Sequence, residues 1–165
     1  PELVRRRTVL DFAAGSGLVA VAAALAGARE VVANEIDPLA TAAIALNAEL
    51  NGVRVVPLLG DLLRPESRRP GTESAGWETA LSAEVVLAGD VCYDRRMTAL
   101  VLPFLDRARL RGAEVLVGDP GRAYLPRRGL AVLADYQVPV IRSLEDRDVR
   151  ATAVSRLIDE PEFRL

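Results

Sequence analysis

The chain contains no histidine and no lysine, one cysteine, one methionine and one tryptophan, and aromatic residues make up 4% of its 165 positions. Without histidine, imidazole catalysis and imidazole metal ligation are excluded. A general base must then be a carboxylate, a tyrosine or solvent, and no metal is expected. All 21 basic side chains are arginine, which reads as arginine replacing lysine across the surface. One cysteine cannot form an internal disulfide, which suits a reducing compartment. No segment has the order of charged, apolar and cleavage regions of a signal peptide, and the apolar run from Leu18 to Ala28 is too short to span a bilayer. A cytoplasmic protein with no membrane association is the expectation. Basic patches are lacking too: the net charge is −2, the pI is near 5.3 and the arginines are scattered, so nucleic acid is not expected as a partner.

What is present is apolar bulk. Half of the residues are hydrophobic, enough for one substantial core and too few residues for two typical domains. Residues 1–165 therefore read as a single domain. The chain begins without methionine, about six residues before its first strand, and a native N-terminal segment is expected to be missing. In this architecture such residues often cover the ligand.

The densest local signal is Val9-Leu-Asp-Phe-Ala-Ala-Gly-Ser-Gly17, a buried strand ending in an acidic residue and a glycine turn that opens a helix. Gly15 and Gly17 let the backbone approach a ligand closely, and Glu35, eighteen positions after Gly17 at the end of Val31-Val-Ala-Asn-Glu35, is placed to accept hydrogen bonds from a ribose diol. A nucleoside cofactor is implied. A dinucleotide site would offer a third glycine and a helix N-terminus facing a pyrophosphate. Here that position is Val19 or Ala20, and Asp11 would oppose a diphosphate. The same carboxylate suits the cationic amino-acid end of S-adenosylmethionine. Asp11-x-Ala13-x-Gly15-x-Gly17 resembles the first motif of the class I methyltransferases, with Ala13 where their commonest form has glycine.

Strand and helix alternate along the chain, which predicts an α/β Rossmann-like, doubly wound and mostly parallel seven-stranded sheet, covered on both faces, with an antiparallel last strand. Strand one is about Thr8 to Phe12. The helix after it places Leu18, Val21, Ala22 and Leu25 on one face and stops near Gly27. Asp37-Pro38 is an N-cap and first helical residue for a helix whose Leu39, Ala43, Leu46 and Leu50 share a face until Asn51-Gly52. Strand three, about Arg54 to Leu59, contains Pro57 and should lie at a sheet edge. Arg64 to Gly76 reads as a loop, Ala83 to Gly89 as strand four, Arg95 to Leu110 as a long helix, and Glu114 to Gly118 as strand five. A helix near Leu125 to Ala134 and strands at Tyr136 to Arg142 and Thr152 to Ile158 complete the expectation.

Ligands in such sheets bind beyond the carboxyl ends of the strands. Asp61, in Gly60-Asp-Leu62, lies where class I methyltransferases hydrogen-bond the adenine amino group, with the backbone amide of Leu62 reaching the ring; an aspartate there is also an ordinary turn former. Strand four ends in Gly89-Asp-Val-Cys-Tyr93, and its Asp90-x-x-Tyr93 resembles a pattern of class I protein lysine methyltransferases. A carboxylate can accept hydrogen bonds from an attacking amine, and a tyrosine face can hold a cationic head by about 0.5–2 kcal/mol. Cys92 reads as core. With Asn34-Glu-Ile-Asp-Pro38 and Gly118-Asp-Pro-Gly-Arg-Ala-Tyr-Leu-Pro126 added, nearly the whole chain resembles the electron-transfer flavoprotein β-subunit lysine methyltransferase family, bacterial type.

That resemblance implies S-adenosylmethionine-dependent N-methylation of lysine side chains on a protein, the flavoprotein β subunit, or a ribosomal stalk protein as for some bacterial relatives. It implies a cofactor held by Asp11, Ala13, Gly15, Gly17, Glu35, Ile36, Asp61 and Leu62, catalysis by Asp90 and Tyr93, and a substrate side shaped by Asp119 and Arg122. A chain without lysine cannot methylate a lysine of its own. The alternatives are a small-molecule amine methyltransferase, a nicotinamide-dependent oxidoreductase, which Asp11 opposes, and a non-catalytic nucleotide-binding module.

Overall fold

The computed structural model describes residues 2–64, 74–139 and 149–159. Its elements in chain order are β1 (Thr8–Phe12), α1 (Leu18–Leu25), β2 (Glu30–Glu35), α2 (Pro38–Leu50), β3 (Val56–Leu59), α3 (Ser74–Leu81), β4 (Val85–Gly89), α4 (Arg95–Leu110), β5 (Glu114–Asp119), β6 (Leu130–Pro139) and β7 (Val149–Leu157). They build one seven-stranded sheet in the order β3-β2-β1-β4-β5-β7-β6. The first five strands run parallel. β7 inserts antiparallel between β5 and β6. This is the expected doubly wound fold.

Apolar residues on both sides of each central strand make the sheet a wall between two cores. On one side Leu10, Val32, Val86 and Val115 meet Trp77 of α3 and Phe104 and Leu105 of α4. Phe12 and Phe104 stack there, with ring centroids 4.8 Å apart and planes at 30°. On the other side Val9, Val31, Ala33 and Val85 meet Ala20 and Ala23 of α1 and Ile44 of α2. Wholly buried, Ile44 contributes about 1.5–3 kcal/mol by leaving water. Pro57 does sit on an edge strand, β3, where its missing N–H costs no central ladder bond. Asp37 caps α2 by accepting from the Leu39 N–H at 2.8 Å, and Asp94 caps α4 by accepting from Met97 at 2.9 Å.

Four expectations are corrected. α1 and α2 turn other faces inward than expected: Leu18, Leu25, Leu39, Leu46 and Leu50 are all exposed, while Ala20, Ala23, Ile44 and Ala48 are buried, and of the expected α1 face only Val21 is buried. α1 presents mainly small alanines to the sheet, while α2 buries Ile44 with Ala48. The expected helix at Leu125 to Ala134 does not form. Gly129 adopts φ +76 and the chain enters β6, paired with β7 from Leu130↔Leu157 to Pro139↔Val149 around an irregularity at Val132/Ala134; a complete ladder outweighs the local helix preference of leucine and alanine. The expected strands at Tyr136 to Arg142 and Thr152 to Ile158 begin earlier as β6 and β7, and residues 140–142 lie outside the described residues. Finally, α3 occupies part of the stretch read as loop and gap, residues 65–73 lying outside the described residues. Among the described residues no helix is long and apolar enough to cross a membrane.

Trp77 also fixes a glycine. A Cβ on Gly60 would lie 2.5 Å from the Trp77 ring, so Gly60→Ala should lower stability by about 1–3 kcal/mol, read as a reduced urea midpoint at unchanged m-value.

Candidate functional site

Strand order reverses between β1 and β4, whose crossovers leave on opposite faces, and the crevice at their carboxyl ends is where this architecture takes ligands. On the β1 side the chain makes a compact turn, with Ala13, Gly15 and Gly17 at φ +54, +56 and +83. A Cβ on Gly17 would fit tightly, 3.1–3.3 Å from Ile44; a Cβ on Gly15 would meet nothing within 4 Å, so that turn backbone faces open space.

Two carboxylates brace the turn. Glu35 Oε1 accepts from the Gly15 N–H at 2.9 Å and Oε2 from Ile36 at 2.9 Å. Oε2 also accepts from the Asp37 N–H at 3.4 Å, so the further acceptor site lies on Oε1. Asp11 works from beneath: it is 1% exposed and its Oδ2 accepts from the Ala20 N–H at 2.8 Å. Gly17, the N-cap of α1, has no side chain to offer, so Asp11 supplies the acceptor that a capping residue normally would. Burial pushes the Asp11 carboxyl up to about 7 against the lowering effect of the Ala20 N–H, and the nearby Glu35 charge adds to the rise.

The β3 end is held by a residue that sequence reasoning missed. Asn34 donates from Nδ2 to the carbonyls of Leu58 at 3.1 Å and Gly60 at 2.8 Å. The Gly60 N–H returns a bond to Glu35 O at 2.8 Å, and Asp61 Oδ1 accepts from Leu63 at 2.9 Å. A cleft of about 270 Å³ results, lined by Ala13, Glu35, Ile36, Asp61 and Leu62 together with Phe12, Met97 and Leu100. Five of the expected cofactor residues thus meet in one cavity. Asp11, Gly15 and Gly17 form the turn beside it. The carboxylates of Glu35 and Asp61 are acceptors only, and Ile36, 71% exposed, offers an apolar face. Asn34 was read only as part of Asn34-Glu-Ile-Asp-Pro38, without a role of its own, and the α4 residues Met97 and Leu100 carried no motif; only their position could have found these roles.

On the β4 side Asp90 takes φ +52, and its N–H donates to Gly118 O at 2.7 Å. Its carboxylate is gripped by Arg122, Nε to Oδ1 at 2.7 Å and Nη2 to Oδ2 at 2.6 Å. Asp119 Oδ1 accepts from the N–H groups of Gly121 and Arg122, both at 2.7 Å, while its buried Oδ2 has no hydrogen-bond partner. Tyr93 is exposed. Cys92 is buried core, as expected. Burial pushes its thiol up to about 11, the Asp119 and Asp90 charges adding to a rise that the Thr98 hydroxyl opposes. The four residues expected on the acceptor side therefore stand at the ends of β4 and β5, at the same end of the sheet as the cleft. Among the described residues no group of three or more Cys, Asp or Glu could hold a metal ion.

Comparison with known proteins agrees with this architecture. A family model described as Ribosomal protein L11 methyltransferase (PrmA) matches residues 2–67. The ribosomal protein L11 methylase of Lactobacillus delbrueckii superposes with a TM-score of 0.59 at 20% identity, over 94% of this chain and 72% of that one. The Pyrococcus abyssi tRNA (uracil-54, C5)-methyltransferase, solved in complex with S-adenosyl-L-homocysteine, superposes with a TM-score of 0.60 at 15% identity, over 95% of this chain and 36% of that one. The chain has the fold of a class I methyltransferase domain. In sequence it is a relative of the electron transfer flavoprotein beta subunit lysine methyltransferases: it is 36% identical to that of Danio rerio over 167 aligned residues, 98% of this chain and 60% of the relative. The chain thus spans about 60% of the length of that curated relative.

The buried Asp11 makes stability depend on pH. Its raised folded-state pKa means that the native state holds a proton the unfolded chain has released, so this group's contribution is present below pH 3.8 and is lost as pH rises toward about 7. Asp11→Asn keeps an acceptor for Ala20 and removes the titration. The variant should lose less stability than wild type between about pH 4.5 and 7.5, measured by urea unfolding at both values.

Proposed function

We propose that this chain is the catalytic domain of an S-adenosylmethionine-dependent N-methyltransferase that modifies lysine side chains of a protein, with the electron transfer flavoprotein β subunit as substrate. The observation that carries the reading is the placement, at the ends of the neighbouring parallel strands β1 and β4, of a glycine turn braced by Glu35 and of a strand end bearing Asp90 and Tyr93. The cleft suits the cofactor chemically. Acceptor-only Glu35 and Asp61 match the donors of a ribose diol and an adenine amino group, the backbone of Leu62 and the apolar Ile36 and Ala13 flank the ring, and the open Gly15 backbone admits the rest. Asp11 holds that turn from below by anchoring α1. Bound there, the cofactor would supply a sulfonium-activated methyl group for transfer to nitrogen.

The chain's own residues act on the amine. Asp90 accepts its N–H bonds and aligns the lone pair, and Tyr93 offers a ring face to the head group. Charge that develops on nitrogen is stabilised by the strand-end carboxylate, and the proton then leaves to solvent. No imidazole is available for the task, and none is required once the amine is neutral.

A ribosomal protein substrate is the second reading, favoured by the L11 methyltransferase family match. That match ends at residue 67, before β4 and β5, and so covers the cofactor half alone. The flavoprotein-directed relative aligns across both halves. A protein rather than a nucleic acid accords with the net charge of −2, and a cytoplasmic setting would keep the free Cys92 reduced.

Incubation with labelled cofactor and either flavoprotein β subunit or L11, followed by mass spectrometry, should give lysine methylation of the flavoprotein subunit; methylation of L11 alone would replace the substrate assignment. Asp90→Asn should keep cofactor affinity within about twofold and lower turnover by on the order of 100-fold or more. Unchanged turnover would remove Asp90 from the mechanism.

A further inference from the structure

The acceptor side of the crevice already holds a cation. Arg122 grips Asp90 through two parallel hydrogen bonds of 2.6 and 2.7 Å, in a site proposed to receive a lysine. This is a built arrangement. Asp119, 2% exposed, binds the backbone N–H groups of Gly121 and Arg122, and Gly121 at φ +81 turns the chain so that the guanidinium meets Asp90. Asp90 is in turn fixed by its N–H bond to Gly118. Both partners of the pair remain partly exposed, 33% for Arg122 and 46% for Asp90, so a substrate can reach them.

An uncompensated carboxylate beside a lysine side chain would stabilise the ammonium form, which has no lone pair and cannot attack carbon. A carboxylate has about four acceptor sites, and a two-pronged guanidinium uses two of them. Asp90 can therefore hold Arg122 and still accept N–H bonds from an amine.

We infer that Arg122 is a positioning residue that acts through Asp90: it offsets part of the charge of the strand-end carboxylate, so that the free substrate amine is held by hydrogen bonds in its neutral, nucleophilic form while the carboxylate still meets the charge that develops on nitrogen. The inference rests on the lysine-directed reading above. The other ionisable groups around the pair are Asp119, Cys92, Tyr93 and Asp94, with Asp11 and Glu35 across the crevice. Asp119 Oδ1 is committed to the turn, Asp94 to the cap of α4, and Cys92 is a buried thiol. Arg122 is the cation in direct contact with Asp90. In the step this serves, the nitrogen lone pair forms the new N–C bond, sulfur keeps the pair of the broken C–S bond, and the methylated nitrogen releases a proton to solvent. Asp90 and Arg122 end the step unchanged.

The test is the pH profile of kcat/KM for lysine methylation by wild type, Arg122→Gln and Arg122→Lys, with cofactor affinity as the control for folding. Arg122→Gln should move the acid limb upward by about one pH unit, while Arg122→Lys, which keeps the charge, should leave the limb close to wild type. Replacing the target lysine by aminoethylcysteine, a less basic amine, should restore most of the Arg122→Gln rate near neutral pH. If Arg122→Gln does not bind cofactor, Arg122→Met is the second neutral variant and must move the limb the same way. A rate lowered equally at every pH, or a limb moved as far by Arg122→Lys, would reduce Arg122 to a brace and overturn the inference alone. No lysine methylation by wild type would overturn the lysine reading and this inference with it.

Discussion

The turn between β1 and α1 depends on one buried hydrogen bond, from the Ala20 N–H to the carboxylate of Asp11. The first turn of any helix leaves N–H groups without partners, and α1 starts at a glycine that has no side chain to cap it. Asp11 reaches up from the sheet to do so. This fixes the start of α1 over β1, and with both ends set the intervening turn is held at positive φ, where Glu35 can take the Gly15 N–H. The cost is a carboxyl group carried out of water, visible as its pKa near 7. Placing an acid there leaves the surface of the turn free of its own capping side chains and open to a ligand.

The ends of β4 and β5 are organised on a similar plan. Asp119, buried at the end of β5, orders a backbone turn, and the turn delivers Arg122 to Asp90 on the neighbouring strand. In each case a buried aspartate arranges backbone N–H groups, and a second carboxylate stands nearer the crevice. Parallel strands make this possible because every one of them ends at the same rim.

Much of this was legible in order along the chain. Asp37-Pro38 and the Gly15–Gly17 turn carry local chemistry that works wherever the chain folds, and Pro57 restricts its strand to an edge regardless of context. The residues brought together in the cleft were also legible, since spacing from the glycine turn to Glu35 and Asp61 reflects the βαβ repeat. The inward faces of α1 and α2 were not. Both helices are rich in alanine and leucine, so hydrophobicity is nearly uniform around them, and fit against the sheet decides which side turns in. Nor could the first part of β6, before Tyr136, be read, because its partner β7 follows later in the chain and its own residues favour helix. Asn34 and the grip of Arg122 on Asp90 depend on contacts 24 to 32 residues apart in sequence, which no periodicity records.

The two margins of the sheet differ in a way that bears on how copies of it could meet. At one margin lies β3, four residues long, with Pro57 unable to donate. At the other lies β6, ten residues long, and among the described residues no strand pairs with its outer side. A sheet with two receptive margins can be extended without limit, strand on strand, into a fibre. In this sheet the backbone groups open to another strand are concentrated on β6, and β3 offers a shorter run that lacks one donor.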